Sequence, residues 1–447
     1  MASIPHSAEK DIESSASSTD MLDTMNFPAS KPESQAIEDN STPPPPAKDE
    51  EGTLLAWSQV LMSHLVSFNA WGYLNSFGLF QAYYTTTLLP SVTPSTISWI
   101  GSVQILLSFL VGSVSGRALD AGYLRHVLFL GSVLQLVGIM TTSVSSKYWH
   151  LLLAQGICKG LGDGLMFCPA VAVVPTYFVK RRRALAMSLA ASGTATGGMV
   201  FPVMARELMP RIGFAWTVRA MGLVVLVNAV VILALARAKP AGTEKRPWFE
   251  WRAFREREYA LFCVGMFLNW WALYFAFFYI SAFAKTQLNI DTSTSLVLLL
   301  LINAVGLPGR IVFGLLSDRF LGPLRTLIPV ALCTSILFYS WAAVHSLSGL
   351  YAFCALYGFF GSAIQGLFPA SCASLTTDLR TIGARTGMCF AVVSIAALTG
   401  SPIGGALVQL HGRYLDAQMF GGSSLLAGSA ALVAAYWVSV SRRKVDV

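Results

Sequence analysis

The chain repeats itself at an offset of about two hundred residues, and few folds can satisfy such a repeat. Gly116-x-x-x-Asp120 recurs as Gly314-x-x-x-Asp318, each closing an apolar stretch. Pro169 and Pro202 recur as Pro369 and Pro402, with the same 33-residue separation. A repeat of this length, built almost wholly from apolar segments, is not a solenoid of small soluble units. It predicts two stacked bundles of membrane-crossing helices with a solute pathway between them.

With 54% hydrophobic and 12% charged residues, the chain cannot cover itself with an ordinary charged surface. Its hydropathy resolves into twelve apolar stretches of about 20 residues, the length that crosses ~30 Å of hydrocarbon. Period-two alternation is absent, which excludes an outer-membrane barrel. The expected architecture is an all-α integral membrane protein of twelve transmembrane helices in two pseudo-symmetric six-helix bundles, residues 53–237 and 259–440.

Charge sets the expected orientation. With both tails in the cytosol, inner loops and tails hold 23 of the 31 Lys and Arg, and outer loops hold five: Lys147, Arg206, Arg211, Lys285 and Arg413. That is the positive-inside asymmetry, so the net charge of +8 reads as topology and not as nucleic-acid binding. Residues 1–52, rich in Ser, Pro and acids, are expected to form a disordered cytosolic tail, and 441–447 a short cytosolic tail at the other end. The linker 238–258 carries Trp248, Phe249, Trp251 and Arg252, which suit a helix lying along the inner membrane surface.

Enzyme motifs are missing. Neither a Walker loop nor a zinc-binding HExxH occurs. No strand precedes Gly160-Leu161-Gly162-Asp163-Gly164, and Gly156, Gly160 and Gly164 instead make a flat helix face for close packing. All seven Cys fall in spans without CxxC spacing and read as free thiols, so neither a metal nor a cofactor is expected.

The loop after the second span carries Gly116, Asp120 and Arg125, and the loop after the eighth carries Gly314, Asp318 and Arg319. With Trp57-Ser58-Gln59-Val60, Asn75-Ser76-Phe77-Gly78, Ser98-Trp99-Ile100-Gly101-Ser102, Ala154-Gln155-Gly156, Tyr177-Phe178, Arg182-Arg183-Ala184-Leu185-Ala186 and Ala191-Ser192-Gly193, the chain resembles the major facilitator superfamily and its fungal monocarboxylate-porter branch. The resemblance implies alternating access between the two bundles, usually coupled to an ion gradient, and makes the six loop residues gates. It also implies Arg310 as a substrate contact. Three positions depart from the branch pattern: Asn75 stands for a Lys, Gly306 for an Asp and Ser188 for a Gly. The first two remove charged elements of a proton–lactate cycle.

Ionisable groups deep in a membrane are costly and default to function or to paired structure. Gln155, Lys159 and Asp163, spaced four apart, form one polar stripe on the fourth span near the midplane. It can serve as a substrate or proton site, or as a static ion pair. Arg310 shares a face of span eight with Asn303, and its guanidinium suits an anionic group. Arg219 is expected to pair with Glu207, and His64 to be a hydrogen-bonded core residue. Trp270, Tyr274, Phe277 and Phe278 share one face of span seven and can stack on a flat organic molecule. The resulting expectation is a plasma-membrane carrier, both termini cytosolic, that exports a fungal secondary metabolite. Its partners are a small organic substrate, lipid and protons, with no nucleic acid or obligate protein partner. Uptake of a monocarboxylate or of a vitamin such as riboflavin is the rival, and a nutrient receptor the alternative of another class.

Overall fold

The computed structural model describes residues 52–120, 122–178, 182–237, 250–376, 381–411 and 413–445. The expected disordered tail, the inner-surface residues Trp248 and Phe249, and the last two residues lie outside that set.

Ten helices among the described residues are long and apolar enough to cross a membrane. One of them, Arg183–Leu235, is 53 residues long and is broken at Gly213, whose φ of 75° and ψ of 170° interrupt the helix just after Pro210. It therefore supplies two crossings, α5 (183–212) and α6 (214–235). Residues 54–88 supply a further one, α1, as helical pieces interrupted by π-helical turns and a break at Asn75–Ser76. The remaining crossings are α2 (Pro94–Asp120), α3 (Leu124–Val144), α4 (Tyr148–Tyr177), α7 (Arg257–Leu288), α8 (Thr292–Leu316), α9 (Pro323–Ser340), α10 (Leu347–Ser374), α11 (Ile382–His411) and α12 (Leu415–Val445). The total of twelve agrees with hydropathy. Several crossings outrun their apolar cores: α7 starts inside the expected linker, and α12 carries Arg442 on its last turns.

Local chemistry sets the ends. Thr53, Asp291 and Ser346 cap α1, α8 and α10 by accepting from the N–H groups of Ala56 (3.2 Å), Thr294 (3.1 Å) and Gly349 (3.2 Å). Pro323 opens α9 directly after Gly322, whose φ is 79°. The glycine stripe of α4 lies along α2: a Cβ on Gly160 would stand 3.1 Å from the Gln104 Cα, and one on Gly164 would stand 2.6 Å from the Leu107 carbonyl. Only hydrogen at those positions lets the two backbones approach this closely.

Each half packs its own crossings, and the halves meet along α2 with α11 and along α5 with α8 and α10. Under the sequence repeat, α2 corresponds to α8 and α5 to α11. The α2–α11 and α5–α8 contacts are thus symmetry mates of each other.

Candidate functional site

Seven aromatic rings meet where the halves touch. Trp71 of α1 stacks on Tyr274 of α7 (centroids 6.0 Å, 20°), and Phe109 of α2 stacks on Phe390 of α11 (5.1 Å, 13°). Trp270 lies edge-on to Phe109 (5.2 Å), and Phe167 edge-on to Phe390 (5.5 Å). Phe368 completes the cluster, 4.8 Å from Phe390. Six of these rings, all but Phe109, wall a cavity of about 20 Å³ with Val171, Ala191, Thr194, Gln365 and Pro369, room for about one water. The centre is therefore closed by aromatic packing. A larger groove, about 440 Å³, lies on the flank of the first half between α3 and α4; it contains none of the candidate residues.

Trp270 and Tyr274 thus stand in the wall as their spacing suggested. Arg310 does not. It is buried behind Gln365, to which Nη2 donates at 2.6 Å, while Nε and Nη1 have no hydrogen-bond partner among the described residues. The indole N–H groups of Trp71 and Trp270 are likewise buried without partners. Two indole donors in the cavity wall and two guanidinium donors behind Gln365, with no carboxylate partner among the described residues, make an arrangement suited to an acceptor-rich or anionic guest. The space at Gly306 explains why no Asp accompanies this Arg: a Cβ there would strike the Ser362 hydroxyl and come within 2.9 Å of its Cβ.

Asn75 and Asn303 are brought together across the two halves, Nδ2 to Oδ1 at 3.5 Å, at the break in α1. The close approach needs Gly198 of α5, where a Cβ would sit 2.7 Å from the Asn303 Oδ1. This polar clasp is outside the cavity wall.

The stripe of α4 faces elsewhere. Lys159 donates to both oxygens of Asp163 (2.9 and 2.8 Å), and Gln104 of α2 and Gln135 of α3 add bonds of 2.9 and 2.6 Å. The ammonium lies 4.7 Å from the Tyr73 ring centroid, and Gln155 accepts from Tyr84 at 2.9 Å. Lys159 and Asp163 are 0% and 1% exposed and enclosed by α1 to α4, so neither contacts the inter-bundle cavity. His64 Nδ1 lies 3.0 Å from the Leu189 carbonyl and must carry a proton there, while Nε2 meets the Thr196 hydroxyl at 3.0 Å. It is a packed core residue. The expected Arg219–Glu207 pair is not formed: Glu207 meets Arg211 at 3.3 Å, and Arg219 donates to Ser143 at 3.2 Å.

At the end bearing the repeated motif, Asp318 accepts from the backbone N–H groups of Ala184 and Leu185, both at 2.8 Å. It caps the start of α5 from the other half, where the helix dipole favours an anion. A Cβ on Gly314 would stand 3.1 Å from the Leu185 Cα, and one on Gly116 would stand 2.9 Å from the Gly383 carbonyl of α11. Both glycines therefore sit at inter-bundle contacts. The Asp120 side chain lies outside the described set. Arg125 is exposed, and Arg319 lies 5.5 Å from the Phe320 ring centroid.

One group went unnoticed in the sequence. Arg385, buried at the start of α11, is held by two carboxylates: Glu250 at 3.0 and 3.0 Å, and Glu256 at 2.9 and 2.6 Å. Nothing short of the fold connects residues 129 to 135 positions apart. The only visible hint was an acid-bearing linker between two bundles.

Two helical bundles with an aromatic centre between them and an Asp318 cap joining them at one end define a class, and sequence comparison agrees with it. The Major Facilitator Superfamily profile matches residues 53–378, and the chain belongs to that family. It is therefore a multi-pass membrane transporter and not an enzyme. It is 44% identical over 405 residues to an MFS-type transporter of Gibberella zeae, covering 90% of each chain. It is 32% identical to the aspyridones efflux protein apdF of Emericella nidulans (89% of this chain, 82% of the relative) and 31% identical to the agnestins efflux protein AgnL12 of Paecilomyces divaricatus (83% and 85%). Among solved structures, the human organic anion transporter MFSD10 shares the fold with a TM-score of 0.66 at 13% identity (87% of this chain, 100% of that one). The fucose:proton symporter FucP of E. coli also scores 0.66, at 15% identity (84% and 98%).

Proposed function

We propose that this carrier exports a small, flat, acidic organic metabolite by alternating access, from the cytosol across the plasma membrane, with both termini cytosolic. The supporting observation is the inter-bundle cavity: six rings from both halves line it, two of their indole N–H groups are buried without acceptors, and behind Gln365 two nitrogens of Arg310 are buried without acceptors as well. A buried guanidinium with only a neutral amide beside it leaves room for the negative charge to arrive with the cargo. Relatives named as efflux proteins favour export over uptake of a monocarboxylate or vitamin. The motif set favours the monocarboxylate-porter branch, while Asn75 and Gly306 depart from the proton–lactate arrangement.

In this reading the Asp318 end is cytosolic and shut. The cap on α5 and the Gly116–Gly383 contact part when the carrier opens inward, and Asp120, Arg125 and Arg319 serve the same gates. Trp270 and Tyr274 stack on the cargo, Gln365 relays Arg310 to it, and the Asn75–Asn303 clasp breaks during opening. The test is uptake into inside-out vesicles supplied with an organic extract of the producing cells. Wild type should accumulate a compound that vesicles carrying Arg310→Gln do not. Equal accumulation by both would remove the site assignment, and no accumulation by either would remove export.

A further inference from the structure

Residues 250–258 carry three glutamates and three arginines, so as a sequence the segment is electrically neutral. The fold sorts these charges onto opposite sides. All three carboxylates turn toward the second bundle: Glu250 and Glu256 hold Arg385 of α11, and Glu258, 8% exposed, pairs with Arg442 of α12. Arg252, Arg255 and Arg257 are all exposed, and no carboxylate pairs with them among the described residues. The outward side is therefore cationic although the segment as a whole is not.

The arginines are also rigidly presented. Trp251–Arg255 is a 3₁₀ turn, in which residues three apart eclipse, so Arg252 and Arg255 share one edge. Ala253 is its buried foot, and the Phe254 ring packs 5.5 Å from that of Tyr259. The Tyr259 hydroxyl in turn donates to the Arg385 carbonyl at 2.6 Å, which ties the turn to α11. Trp251 is left 69% exposed between the glutamate clamp and the first arginine. The turn runs directly into α7, a membrane crossing, so it stands at the boundary between hydrocarbon and water. An exposed indole flanked by arginines is suited to that boundary, ring among the glycerol groups and cations among the phosphates.

We propose that this turn is a binding site for an anionic phospholipid headgroup, contacted by Arg252, Arg255 and Arg257 and flanked by Trp251. The Arg385 clamp creates the site, because it withdraws the two carboxylates that would otherwise cancel the field of the arginines. The indole and the adjoining crossing select a lipid over a soluble anion. The site is remote from the aromatic seam, and it depends neither on the cargo nor on the direction of transport.

The test uses purified full-length protein, delipidated in a neutral detergent. Its melting temperature is followed during titration with dioctanoyl phosphatidylserine, dioctanoyl phosphatidylcholine or inorganic phosphate. Phosphatidylserine should stabilise wild type saturably, and the other two should do little. Replacing Arg252, Arg255 and Arg257 together by Gln should raise the half-saturating concentration about tenfold or more, since each cation at a lipid surface contributes separately. Removing the same charge from the opposite end, with Arg206→Gln, Arg211→Gln and Lys285→Gln, should shift it less than about twofold, because distant charges are screened. Arg255→Gln alone should weaken binding several-fold, and it decides the matter if the triple variant gives no gel-filtration peak. Phosphatidylcholine as effective as phosphatidylserine would overturn the charge requirement, and inorganic phosphate as effective would replace the lipid with a soluble anion. A wild-type response in the arginine variants, or an equal loss in the opposite-end variant, would overturn the site.

Discussion

Two buried cations are handled in opposite ways by this molecule. Lys159 lies inside one bundle with its carboxylate one turn away and two amides completing the shell. Arg310 lies against the seam between bundles with a single neutral amide and two unpartnered nitrogens. Both are essentially removed from water. A charge that is neutralised within a rigid bundle can remain there through every conformational state. A charge left unneutralised at a moving interface is stable only if something mobile completes it. On the proposed reading, the difference separates a charge balanced within its bundle from one whose counter-charge arrives with the cargo.

The largest expected effect breaks the first of these. Asp163→Leu strands Lys159 in the bundle, at a cost of about 3–5 kcal/mol, and should abolish most properly folded protein in fluorescence-detected gel filtration. Lys159→Leu combined with Asp163→Leu should restore the peak. A double variant no better than the single would show that packing, and not charge, holds α4.

Arg310→Lys sharpens the second. The gel-filtration peak should be unchanged, since among the described residues no carboxylate pairs with Arg310. Transport should fall about tenfold or more, because losing a charge-assisted bond removes about 1.5–3 kcal/mol. Full transport by the Lys variant, read in the vesicle assay, would mean that any positive charge suffices.

Asp318→Asn comes next. Neutralising the cap on α5 weakens the contact proposed as a gate by about 1 kcal/mol, so turnover should change severalfold with abundance retained. Asp120→Asn should act in parallel, and a rate measurement on each single variant checks both. Smallest is Glu250→Gln. Glu256 still holds Arg385, and Glu250 is 26% exposed, so the shift in melting temperature should correspond to less than about 1 kcal/mol. A collapse there would show that the linker clamp carries more of the second bundle's stability than its exposure suggests.

The fold was legible because its signals are local or periodic. Prolines 33 residues apart, repeated Gly-x-x-x-Asp loops and the glycines of α4 each declare a crossing or a close approach. Arg310 and the α7 aromatics were legible too, as rare charges and dense rings must be. The rotation of α4 was not. The same four-residue spacing puts Gln155, Lys159 and Asp163 on one face whether that face meets the seam or the bundle interior, and only the positions of Gln104 and Gln135 decide. Asn75 with Asn303, 228 residues apart, and Arg385 with Glu250 are products of the tertiary fold and have no local pattern to betray them. Asp318 was expected as a gate residue, but the recipient of its cap, the start of α5, could not be named from spacing.

The central claim is that cargo binds at the seam and supplies the charge Arg310 lacks. The most direct measurement is thermal stabilisation of the purified protein by three probes of one shape: 2-naphthoate, 2-naphthylmethanol and 2-naphthylmethylamine. The account predicts that the anion raises the melting temperature of wild type, that the neutral and cationic probes do so far less, and that Arg310→Gln abolishes the difference among them. Equal stabilisation by all three, or an anion effect that survives in Arg310→Gln, would contradict it.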